Sequence, residues 1–180
     1  MFMTVKLTDG VEMRILSTLA REPDREFYQR EIARLAGVSV GATSQRLREI
    51  VEGGLVSARK SGRMIFYRYN LDDPLARQLK ILLSVNLIHN LVKDLAPHSR
   101  RVVLFGSCAA GSDVLESDID LLIVSQEGKL IRSIVSAYAD QIGRKISPVM
   151  MSANQFRHLR SKDRALYDRI NYGIALWEVG

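Results

Sequence analysis

Cysteine is almost missing from this chain. Of 180 residues only Cys108 is a cysteine, which excludes an intramolecular disulfide framework and a cysteine-based zinc site. A reducing, cytoplasmic setting is expected. Histidine is nearly as scarce: His89, His98 and His158 are scattered without the spacing of metal ligands. Aromatic residues amount to 7% with one Trp, Trp177, so they are read as core side chains rather than base-stacking platforms. Long apolar runs are missing too. The longest, 81–92, is broken by Asn86, His89 and Asn90, and is too short for a membrane span. The opening MFMTVKLTDG lacks the apolar centre of a signal peptide. No repeat or low-complexity segment stands out.

What is present is a foldable, basic chain. Hydrophobic residues make up 47%, enough core for one large domain or two small ones. The net charge is +6 and the pI is about 9.7, which favours a polyanionic partner. The excess leans to the N-terminal side: residues 1–96 carry 15 Lys/Arg against 11 Asp/Glu, and residues 97–180 carry 11 against 9.

Along the first half the apolar spacing is helical. Val11, Ile15, Leu16 and Leu19 predict a helix over 11–21, with Asp9 as its N-cap and Pro23 beyond its end. Ile32 and Leu35 mark a second helix, and Gly37 is its left-handed C-terminal residue. Ser39 caps a third helix through Val51, with Leu47, Ile50 and Val51 on its apolar face. Two strands, 55–60 and 64–70, then form a hairpin around Ser61-Gly62-Arg63, with Arg59, Lys60 and Arg63 at the tip. Pro74 to Leu95 reads as one long helix opened by Asp72 and Asp73. Its leucines cover more than one face, so it must pack against two partners. It is read as a linker, with a dimer surface as one use of it and packing within its own chain as the other.

The second half is a small mixed domain. Strands are expected at 101–105, 119–125, 146–151 and 173–177, and helices at 129–143, 153–160 and 162–172. Pro148 places the third strand near a sheet edge. The fold class is therefore α+β, with domains at 1–73, 74–96 (linker helix) and 97–180.

The chemistry concentrates in LFGSCAAGSDVLESDIDLLIV, 104–124. Gly106-Ser107 must turn sharply, and a helix starting at Ser107 would offer amide donors to phosphate. Asp118 and Asp120 stand two apart on a strand, so both carboxylates face one side, about 6–7 Å apart along the chain. Two hard oxygen donors suit Mg²⁺, which completes its shell with water and substrate phosphates. Such a pairing of a phosphate turn with carboxylates makes a nucleoside triphosphate site.

Two resemblances follow. Residues 1–70, with REIARLAGVSVGATSQRLREIVEGGLVSARKSGRMIFYRY, resemble the winged helix-turn-helix family. This resemblance implies double-stranded DNA as partner, read by Gly41, Thr43, Gln45 and Arg46, with Arg59, Lys60 and Arg63 of the wing on phosphate. From about Val102 onward the chain resembles the DNA polymerase beta-type nucleotidyltransferase superfamily, in its minimal branch. The residues that carry this are Gly106-Ser107, Gly111 and Ser117-Asp118-Ile119-Asp120. The resemblance implies that Gly106 and Ser107 hold a nucleoside triphosphate and that Asp118 and Asp120 are catalytic and hold Mg²⁺ or Mn²⁺.

Two departures bear on activity. Active relatives add a third carboxylate on the later strand, and the matching position here is Ser147, a poor base. Asp140, on the preceding helix, and Asp163, beyond the strand, are the nearest other carboxylates, and neither stands at the matching position. Losing a positioned base costs about 10²–10⁴-fold in rate. Many relatives also have Arg where this chain has Ala110; Arg164 and Arg169 are the other cations available for phosphate. Cys108 beside the turn is read as a small packing residue. Three functions stay open at this point. One is a homodimeric transcriptional regulator with a weak nucleotide-binding domain. The second is an active transferase moving a nucleoside monophosphate to a protein or nucleic-acid hydroxyl, as in the antitoxin halves that minimal nucleotidyltransferases resemble. The third is an interaction module for a protein partner.

Overall fold

The computed structural model describes residues 10–179. The chain divides into two compact units between Leu83 and Ser84.

The first unit begins with α1 (Val11–Arg21), whose Ile15, Leu16, Leu19 and Ala20 are buried. Asp9, the expected cap, lies outside the described residues, and Gly10 holds the N-cap position. A two-residue strand β1 (Phe27–Tyr28) follows, then α2 (Gln29–Ala36). Gly37 ends α2 at φ 61°, the left-handed value its sequence position predicts. α3 (Val40–Glu52) starts where the Ser39 hydroxyl accepts the Ala42 amide. β2 (Val56–Ser61) and β3 (Met64–Tyr69) close around the two-residue turn Gly62-Arg63. The sheet is antiparallel in the order β1-β3-β2. The sequence reading has no β1, because two residues are too few to express an alternation. The opening turns of α4 (Pro74–Leu95) complete this unit. Asp73 Oδ1 accepts the amides of Leu75 and Ala76, capping the helix start. Buried Tyr69 donates its hydroxyl to the Ala76 carbonyl at 2.7 Å. Ala76, Leu79 and Leu83 of α4 join the core of Ile15, Leu19, Phe27, Ile32 and Leu47.

The second unit takes the rest of α4, where Ile88, Leu91 and Leu95 are fully buried. The helix thus feeds two cores, as its wide apolar surface requires. A short 3₁₀ turn at Ala96–His98 leads into β4 (Arg101–Phe105), then α5 (Ser107–Ala110), β5 (Ile119–Val124), α6 (Gly128–Ile142) and β6 (Ile146–Met151). Three short helices, α7 (Ala153–Arg157), α8 (Leu159–Lys162) and α9 (Arg164–Asn171), precede β7 (Ile174–Glu178). The two helices expected there are three, because the first is interrupted at His158, whereas the expected second helix starts where Asp163 accepts the Leu166 amide. The sheet order is β6-β5-β4-β7, with β5 and β6 parallel and the other pairs antiparallel. β6, which carries Pro148, is an edge strand.

Alternation sorts the sheet's side chains to two faces. Val102, Leu104, Leu121 and Ile123 pack with α4 and α6 residues such as Leu91 and Ile131. Val103, Phe105, Leu122 and Val124 pack with Leu159 and Ile170 of α8 and α9. No helix among the described residues is long and apolar enough to cross a membrane.

Candidate functional site

Asp120 shares the parity of Leu122 and Val124, so it continues their face at the opening end of β5. Asp118 stands just before the strand, two residues back. Both side chains are about one-third exposed or less, at 32% and 28%. The burial that the strand demands is supplied by Ile119 between them, which is 2% exposed. The pair therefore marks where a core strand emerges at a surface.

Three elements converge on the pair. From β4, Phe105 is the antiparallel partner of Asp120, and Gly106 comes next. Gly106 has φ 72° and ψ −152°, a region open in practice to glycine alone. A Cβ there would lie 2.3 Å from Asp120 Oδ2. Glycine is thus required twice, by torsion and by the close approach of the carboxylate. Ser107 opens the four-residue α5, where the sequence reading starts a helix.

From β6, Ser147 is the parallel neighbour of Asp120. Its hydroxyl donates to Asp118 Oδ2 at 2.8 Å. Lys145 Nζ donates to the same oxygen at 2.5 Å. The Lys145 ammonium, and after it the Ser147 hydroxyl, hold the Asp118 carboxyl below the usual carboxylate range. From α9, Arg169 Nη2 stands 3.6 Å from Asp120 Oδ2, with its guanidinium 5.4 Å from the centre of the Phe105 ring. Arg164 pairs instead with Asp168 on its own helix at 3.6 Å.

The loop carrying Asp118 is clamped from beneath. Arg144 Nη2 donates to buried Asp113 at 2.8 Å, and its Nε donates to the Ser117 carbonyl at 3.0 Å. The Ser117 hydroxyl in turn accepts the Val114 amide at 3.0 Å. Cys108 is buried, with its Sγ 3.4 Å from Arg144 Nη2, a packing role as expected.

Asp118 and Asp120 fit a divalent cation in donor type and number: two hard oxygens on neighbouring positions, the complement that Mg²⁺ takes from a protein. No group of three or more His, Cys, Asp or Glu side chains among the described residues could hold a metal. Asp163, the later carboxylate, is engaged in the α9 cap. The sequence reading passed over Arg144 and Lys145. A signal for Lys145 was available: it precedes Ser147 by two residues, the spacing that puts side chains on one face of a strand.

In the first unit, the sequence-predicted DNA contacts divide. Gly41 and Gln45 are exposed on α3. Thr43 is not: it is fully buried, and its hydroxyl donates to the Ser39 carbonyl at 2.9 Å. The expectation that Thr43 lies on the exposed face is corrected, because position 43 shares the inward face with Leu47 and Ile50. The outward face is carried by Gly41, Gln45 and Arg48, spaced four and three apart. Arg48 was missed, although that spacing points to it. Arg46 is off this face by helical phase, half-buried, and pairs with Glu12 at 2.9 Å and Glu49 at 2.8 Å. On the wing, Arg59 forms a two-pronged pair with Glu26, at 2.8 and 2.6 Å. Lys60 and Arg63 are exposed at the hairpin tip beside Met64 and Ile65.

Two family models match parts of the chain. Residues 6–63 match the MarR family, and residues 85–167 match the nucleotidyltransferase domain. The order of the two matches is that of the fusion expected from the residues, and the second begins at 85, within the helix read as a linker. No curated protein and no solved structure gives a significant match.

Proposed function

We propose that this chain, a MarR-family winged helix joined to a nucleotidyltransferase domain, is a DNA-binding regulator. Its second domain binds a magnesium–nucleoside triphosphate complex and turns it over weakly. The observation that carries the reading is the register between β5 and β6. It pairs Asp120 with Ser147, so the strand position where active relatives are expected to place a carboxylate carries a hydroxyl.

In this reading Gly106 and Ser107 approach the phosphates, and Asp118 and Asp120 hold Mg²⁺. Bound there, the ion supplies charge neutralisation for the phosphate oxygens. Arg169 supports the anion from α9. Ser147 orients Asp118 through its hydrogen bond but is too weak a base to take an acceptor's proton. Gly41, Gln45 and Arg48 face the DNA major groove, with Lys60 and Arg63 on phosphate. A homodimer belongs to the same proposal, supported by the exposed Leu75, Leu82 and Leu87 on α4.

A label-transfer assay tests the weak-turnover claim. Wild type with Mg²⁺ or Mn²⁺ and labelled nucleoside triphosphate is expected to label no protein or nucleic-acid acceptor efficiently. Ser147→Asp is expected to raise any transfer, by up to about 10²-fold. Rapid wild-type transfer that disappears in Asp118→Asn would establish the active transferase instead.

A further inference from the structure

The carboxylate pair already has cations of its own. Lys145 and Ser147 both donate to Asp118 Oδ2, and Arg169 stands by Asp120 Oδ2. Two carboxylates faced by one ammonium and one guanidinium are balanced in charge. A divalent ion arriving alone meets a site with no net negative charge to attract it. To bind Asp118 through Oδ2 it must displace the Lys145 ammonium, and any displaced position within the side chain's reach still repels it. Lys145 is free to move, since its side chain is 74% exposed. A polyphosphate changes that balance, because its negative charge attracts Lys145 and Arg169 away from the aspartates while drawing the metal in.

We infer that Lys145 is a built-in competitor of the divalent cation at Asp118, so that the cation is taken up together with the nucleotide rather than ahead of it. The inference rests on the reading of Asp118 and Asp120 as the metal ligands. Lys145 is a positioning residue here, acting through Asp118. Its effect is one of charge, so arginine at the same place keeps it and a neutral side chain of similar length removes it.

The test uses the full chain and Mn²⁺ alone, followed by electron paramagnetic resonance or calorimetry without nucleotide. Lys145→Met is expected to bind Mn²⁺ about tenfold more tightly than wild type. Lys145→Arg is expected to stay at the wild-type affinity, which separates charge from packing. Adding Asp118→Asn to Lys145→Met is expected to abolish the gain. Equal Mn²⁺ affinity in wild type and Lys145→Met overturns the inference, as does an equal gain in Lys145→Arg or no Mn²⁺ binding in either protein. Nucleotide binding is read separately, from melting temperature. A nucleotide-dependent shift together with an unchanged Mn²⁺ affinity sinks this inference alone, and loss of the shift sinks the nucleotide reading beneath it.

Discussion

Gly106 is the residue at which the proposed nucleotide site is most exposed to a single change. Its torsions are closed to other residues, and an added methyl group collides with Asp120. Gly106→Ala is expected to cost about 1–3 kcal/mol. For a unit of this size each kcal/mol lowers the melting temperature by roughly 4–8 °C. The same variant is expected to show no stabilisation by Mg²⁺–nucleotide, because the relief of the clash moves either the turn or the carboxylate. A thermal melt with and without nucleotide checks both, and an unchanged response to nucleotide would remove Gly106 from the site. The sequence exposes this residue and the aspartates well, since Gly-Ser and D-x-D are local patterns. It exposes the cations poorly. Lys145, just before β6, and Arg169, on α9, reach the pair; spacing puts Lys145 on the face of Ser147, but which carboxylate either cation meets depends on sheet order, which local spacing does not encode.

The elements were legible in proportion to their length and period. Long α4 and the strands β4, β5 and β6 stand where the apolar patterns place them. The two-residue β1 has no pattern to read, and the α7–α9 segment hides its first break because His158, where α7 gives way to α8, is neither Gly nor Pro and makes no side-chain cap. Thr43 is the instructive miss. Threonine looks like a groove contact on chemistry alone, whereas helical phase puts it with Leu47 and Ile50. The two residues consequently have opposite expected behaviour. Arg48→Ala should weaken duplex binding by about 1–3 kcal/mol and relax sequence preference at the base it faces. Thr43→Val, which removes a buried hydrogen bond, should cost about 1 kcal/mol of stability and leave sequence preference intact. Fluorescence anisotropy on duplexes that differ by single bases, paired with denaturant melts, separates them. An Arg48→Ala protein that binds duplex as wild type does would take α3 out of the interface.

At the scale of the whole chain, two compact units share one helix, with Leu83 and Ser84 on either side of the division. The sequence reading assigns that helix to a linker of its own; in the structure each part of it is core for its unit, through Ala76 and Leu79 on one side and Ile88 and Leu91 on the other. The central claim concerns what the second unit binds. In the proposed function, Asp118 and Asp120, with Gly106 against Asp120 and Ser147 in place of a third carboxylate, form a site that holds a nucleotide without processing it well. The most direct measurement is the melting temperature of wild type and Asp118→Asn, each with Mg²⁺ and each of the common nucleoside triphosphates. Wild type should gain about 2.7 kcal/mol at a hundredfold excess over the dissociation constant, and Asp118→Asn should gain little. A wild-type protein that no nucleotide stabilises, or a variant stabilised equally, would contradict the account.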